Sequence, residues 1–139
     1  MKARPDFIIG GAENPYLLRW WLIPRNRWFN VYLHKIVRDD DPRALHDHPW
    51  WNVSIVLKGG YYEWRKGRPC VWRNPGAVVF RRATAAHRLT LGSSSSPCWS
   101  LFITGPKVRE WGFHCPQGWR HHEEFCAPHD KGRVGRGCE

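Results

Sequence analysis

No stretch of this 139-residue chain approaches the roughly 20 apolar residues that a membrane-spanning helix needs, so no membrane association is expected. The apolar run near the N-terminus, Phe7-Ile8-Ile9, is far too short for the core of a signal peptide. Runs of five or more like charges are missing, which removes the usual signature of a nucleic-acid-binding arm. There is no Ser/His/Asp order, no phosphate-binding glycine loop and no Cys-x-x-Cys pair, so nucleophilic hydrolysis, nucleotide hydrolysis and thioredoxin-type exchange find no support. Cysteine is sparse and odd in number: Cys70, Cys98, Cys115, Cys126 and Cys138 have no framework spacing, and reduced thiols in the cytoplasm are the expectation. No internal repeat is visible.

What is present is charge and aromatic mass. The net charge is +10, from 22 Lys and Arg against 12 Asp and Glu. The basic residues lie singly or in pairs along the chain, which points to a small anionic substrate rather than nucleic acid. Ten tryptophans bury much area per side chain; most are expected in the core and the rest around a pocket mouth.

The pattern reads as all-β. Residues 1–28, with Pro5, Gly10, Gly11, Pro15 and Pro24, read as a loop-rich lead-in in which residues 16–23 form either a short helix or an edge strand. Strands are expected over residues 29–37, 51–57, 61–65, 71–72, 77–80, 87–91 and 98–104, and more weakly over 110–114 and 119–125. Lys58-Gly59-Gly60 reads as a hairpin turn, Asp39-Asp40-Asp41-Pro42 as a strand-closing turn, and Gly92 to Pro97 as a mobile polar loop. A barrel over residues 29–126 and a flexible basic tail over 127–139 complete the organisation.

The informative stretch is His46-Asp47-His48-Pro49-Trp50-Trp51-Asn52. On a strand, residues two apart share a face, so His46 and His48 present both imidazoles to one point, with Asp47 on the other side. His87, on a later strand, supplies a third imidazole for iron, nickel, zinc or manganese.

These residues resemble the cupin family. His46, His48 and Gly59 fall where its first motif has a His-x-His and a turn glycine, and Pro75-Gly76 with His87 matches its second motif. The resemblance covers about residues 29–104, and implies a single double-stranded β-helix, or jelly-roll, barrel, with a homodimer as the usual assembly. Leu45 to Trp51, Asn14-Pro15-Tyr16 and Arg109-Glu110-Trp111-Gly112-Phe113 are further similar to small cupin proteins of phage and prophage genomes, which have no established reaction. Two positions depart from the family: Asn52 stands at the glutamate ligand position, and Arg82 replaces the proline before the second-motif histidine. The site therefore resembles three-histidine cupins such as the thiol dioxygenases, leaving about three positions open on an octahedral metal.

The function this implies is a mononuclear non-haem iron oxygenase acting on a small anionic substrate. Fe(II) would be held by His46, His48 and His87, with Zn, Ni or Mn as other candidates. Asn52 would orient a bound ligand and Arg82 would anchor the substrate. A cupin isomerase or epimerase, with Tyr61 or His34 as acid/base, and a non-catalytic metal- or ligand-binding module are the alternatives. Glu63, Trp99 and Phe102 are placed on lining strands in packing or supporting roles. A structural zinc among Cys115, His121, His122, Cys126 and His129 is disfavoured by spacing that fits no standard finger.

Overall fold

Short β-branched and aromatic runs become strands here because alternate residues bury one face while the other meets solvent. The structure, a computed structural model, describes residues 3–10, 13–40, 44–92, 96–126 and 135–139. In chain order these form β1 (Phe7–Ile9), β2 (Leu17–Trp21), β3 (Asn30–Ile36), β4 (Leu45–His46), β5 (Asn52–Lys58), β6 (Tyr61–Arg65), β7 (Val71–Arg73), β8 (Val78–Arg81), β9 (His87–Thr90), β10 (Cys98–Thr104), β11 (Gly112–Cys115), β12 (Gly118–His121) and the turn of helix α1 (His122–Phe125). The strands make two six-stranded antiparallel sheets, in the orders β1-β2-β3-β10-β5-β8 and β12-β11-β4-β9-β6-β7.

Register decides what each end of the barrel contains. Ile36 pairs with Cys98 and Leu17, and these join Val56, Tyr61 and Leu89 in an apolar core between the sheets. Toward the other end of the first sheet, Asn30, Thr104, Asn52 and Arg81 lie opposite one another across four strands, and all four are buried. A polar compartment therefore sits beyond an apolar plug.

Several expectations change. Residues 16–23 settle as strand β2, and β1 and β2 pair onto β3, so much of the expected lead-in is sheet. Lys58-Gly59-Gly60 is not a hairpin turn: β5 and β6 belong to different sheets, and the glycines carry the chain across. Gly59 has φ 77° and a Cβ there would run into the Pro97 carbonyl oxygen, so only glycine suits both demands. Residues 119–125 divide, because the strand ends at His121 and α1 turns Phe125 into a second small core with Ala44 and Phe113. Of the tryptophans only Trp20 is buried, while Trp21, Trp28, Trp51, Trp64, Trp72 and Trp119 are exposed. The polar barrel interior leaves little apolar room for indoles.

The thiols are not all reduced either: Cys115 and Cys138 form a disulfide, and Cys70, Cys98 and Cys126 are free. The disulfide holds the chain end against β11, and Arg120 donates to the Gly137 carbonyl at 2.9 Å, so residues 135–139 are not loose. Residues 127–134 of the expected tail, His129 among them, lie outside the described residues, as do Asp41, Pro42 and residues 93–95 of the expected turn and loop.

Candidate metal centre

His46 and His87 are direct partners where β4 pairs with β9, and their ring centroids stand 4.8 Å apart. His48 lies just past the end of β4. Its N–H donates to the Ala83 carbonyl at 3.0 Å and its carbonyl accepts from Arg109 at 3.1 Å, which turns its ring to within 5.1 Å of His46 and 4.9 Å of His87. One nitrogen from each ring lies within 4.8 Å of the others, so three imidazole donors of the kind that hold a transition metal surround one point.

Charge and hydrogen bonding prepare these rings. Burial pushes His87 down to about 3, with Arg81 adding to the effect, and burial likewise holds His48 well below the ordinary imidazole range. Both are therefore neutral at pH 7, as a ligand must be. The Nδ1 of His87 is 2.7 Å from Glu63 Oε2, which holds the proton on Nδ1 and leaves Nε2 for a metal. The Nδ1 of His46 is 2.9 Å from Asp40 Oδ2. The Nδ1 of His48 is buried without a hydrogen-bond partner. Three converging imidazoles, two backed by carboxylates, fit a divalent transition metal.

Beneath the histidines lies an ionic network. Glu63 is fully buried; its carboxylate accepts from Arg73, Arg81 and His87. Burial alone would raise its pKa, but the His87 hydrogen bond and the Arg81 guanidinium hold it well below the usual carboxylate range. Arg81 also donates to Asn52 Oδ1 at 3.0 Å, Ser54 Oγ at 2.8 Å and the Tyr61 hydroxyl at 2.9 Å.

The expected catalytic set divides accordingly. Asn52 and Tyr61 are in the interior and in contact with Arg81. Arg82 is exposed, because the alternation of β8 buries Val79 and Arg81 and turns the next residue outward. Arg81 thus takes the place expected of its neighbour; counting the in/out phase from Pro75-Gly76 could have found it. Asp47 points away from the histidines as expected, accepting from Gly112 N–H, His114 and Trp119 and pairing with Arg109. Cys115 is taken by the disulfide, which removes it from the C-terminal Cys/His set among the described residues; half-buried His121 and His122 stand instead beside the exposed Glu110.

No protein-family model and no curated protein matches the sequence, but solved structures match its fold. A DMSP lyase, DddQ from Ruegeria pomeroyi DSS-3, is similar with TM-score 0.60 and 18% identity over 78% of this chain and 57% of that one. HppE in its Fe(II) form gives TM-score 0.53 and 16% identity over 65% of this chain and 50% of that one. A cupin superfamily protein from Desulfitobacterium hafniense DCB-2 gives TM-score 0.54 and 12% identity over 77% and 84%. The chain spans little more than half the length of the lyase and half that of HppE. At these identities the likeness is one of fold, and that fold is the double-stranded β-helix.

Proposed function

We propose that the chain is a mononuclear iron(II) protein, an oxygenase-type oxidoreductase acting on a small anionic molecule, with His46, His48 and His87 as ligands. The observation that carries this reading is the convergence of three buried or half-buried imidazoles, two of them held from behind by Glu63 and Asp40. The fold's likeness to an Fe(II)-bearing neighbour supports the choice of metal. Iron held there supplies a redox-active Lewis-acid centre with open coordination positions.

The chain's own residues then bind and orient. Neutral imidazoles leave the 2+ charge uncompensated, which favours an anionic ligand in a partly water-excluded interior. Asn52 gives its oxygen to Arg81 and keeps Nδ2, fully buried and without a partner, as a donor for that ligand. Tyr61 positions Arg81; burial raises its pKa, so it holds its proton. Buried His34 is kept neutral, first by burial and then by the Arg19 charge, and its Nε2 is already an acceptor for Arg19. These engagements make Tyr61 and His34 poor acid/base partners for an isomerase.

Elemental analysis of the purified protein tests the reading. About one iron per chain is expected, lost in His46→Ala, His48→Ala and His87→Ala, with O2 uptake when small carboxylates are supplied. Equal metal content in all four proteins would sink the ligand assignment. Zinc or nickel without O2 uptake would leave the isomerase or binding-module readings standing instead.

A further inference from the structure

Resting on the reading of a metal centre with an anionic ligand, a second question is which cation meets the ligand's far end. Arg81 has its donors engaged by Glu63, Asn52, Ser54 and Tyr61. Arg82 points outward, and Arg88 lies over the Trp64 ring at 5.4 Å. Arg19 differs from all three. It pairs with His34 across β2 and β3, its Nε donates to His34 Nε2 at 2.9 Å, and its guanidinium lies 4.3 Å from the Tyr32 ring centroid. Tyr32 and His34 are almost fully buried on the inner face of the first sheet, so Arg19, itself half-buried, turns its guanidinium toward the barrel interior. Among the described residues, the charged or polarisable groups acting on it are Tyr32 and Arg25, with no carboxylate among them. An inward guanidinium without a counter-charge is costly, and burial duly pushes it down to about 10.

Its neighbours lead to the metal centre. His34 stacks on Phe102 at 4.6 Å, and Phe102 lies 6.4 Å from His48 and 5.6 Å from Trp50. On the same inner face, Asn52 Nδ2 and Thr104 Oγ1 are buried polar atoms without hydrogen-bond partners among the described residues, and the two residues are direct cross-strand neighbours. Buried polar groups left unpaired in a native interior are usually met by water or ligand. The inner face around Phe102 therefore carries a cation with no carboxylate beside it among the described residues and, further along, unsatisfied polar atoms.

We propose that Arg19, steadied by His34 and Tyr32, is the anion anchor of this site, holding an oxyanion of the carboxylate or phosphate class while the rest of the molecule lies along Phe102 toward His48. The guanidinium's remaining Nη donors can grip two oxygens side by side, which an ammonium cannot do. Arg19 is a specificity residue that touches the ligand; His34 positions it.

Calorimetric titration at low ionic strength tests this with acetate, its neutral analogue acetamide, and inorganic phosphate as probes. Wild type, Arg19→Gln, Arg19→Lys, Arg82→Gln, His48→Ala and the double variant Arg19→Gln/His48→Ala are compared, with metal content measured in each sample. Wild type should bind acetate or phosphate and prefer acetate to acetamide; which anion wins separates the two classes. Arg19→Gln should weaken the anion on the order of tenfold to a hundredfold, as loss of a charge-assisted hydrogen bond does, and should narrow the preference over acetamide to what the metal alone confers. Arg19→Lys should fall between, and it keeps the test usable if the glutamine variant folds poorly. Arg82→Gln should lose less than Arg19→Gln. No anion binding in wild type, equal binding in Arg19→Gln, or an equal loss in Arg82→Gln would overturn the assignment. The His48→Ala pair separates the two readings: retained metal there defeats the metal centre, while the Arg19-dependent loss within that pair still judges the anchor.

Discussion

Glutamine at position 63 changes shape little and charge a great deal. Glu63 is the carboxylate that Arg81, Arg73 and His87 share, and its side chain is 0% exposed against 4% for Arg81. Removing its charge leaves the Arg81 guanidinium buried with only neutral acceptors at Asn52, Ser54 and Tyr61. Breaking one side of such a pair costs about 3–5 kcal/mol, a large part of the roughly 5–15 kcal/mol that holds a typical domain together. Arg73, with 19% of its side chain exposed, can turn to water and adds little. Urea denaturation at pH 7 of wild type, Glu63→Gln, Arg81→Met and the double variant measures this. Because most of the loss in Glu63→Gln is the stranded guanidinium, the double variant should cost clearly less than the two single losses added together. Metal retention should weaken by about tenfold as His87 loses its charged acceptor. Additive losses, or a Glu63→Gln cost under about 1 kcal/mol, would refute the reasoning.

The metal-free protein should lose stability on acidification. His87 and His48 have folded pKa values below the unfolded value of about 6.5, so the unfolded chain binds more protons and their contribution is complete above about pH 6.5. It is lost as the pH falls from there toward about 3 for His87, and Glu63, also depressed, adds a loss below about pH 4.5; a melting temperature constant between pH 7 and 5 would contradict this. Reducing the Cys115–Cys138 disulfide, which joins residues 23 apart, should lower stability by about 3 kcal/mol, read as a fall in melting temperature with dithiothreitol that Cys138→Ser reproduces without it. Asn52→Asp replaces the unpaired Nδ2 donor by a negative oxygen. It should weaken acetate binding several-fold without loss of metal, and unchanged affinity in titration would show that this position does not face the ligand.

The amino-acid sequence by itself determined strands such as β3, β5 and β10 and the pattern of three histidines. Alternation over β3, β5 and β10 is a local property, and a His-x-His followed at a set distance by a third histidine is a chemical pattern that survives without coordinates. It also located Asp47 on the face away from the site, since the period of a strand is two. Partners decided by pairing between distant strands were not legible. Arg81 rather than Arg82 faces inward because β8 docks on β5 with Asn52 opposite Arg81, and a shift of one residue would have exchanged them. Glu63 became the support of His87 only once β6 and β9 lay side by side in the second sheet. Arg19 sits in a stretch that reads equally as helix or edge strand, and only its pairing with β3 sets it against His34. The disulfide likewise required the chain end to fold back onto β11. In each case local sequence sets which face a residue can show, and tertiary register, fixed by long-range burial, sets what that face meets.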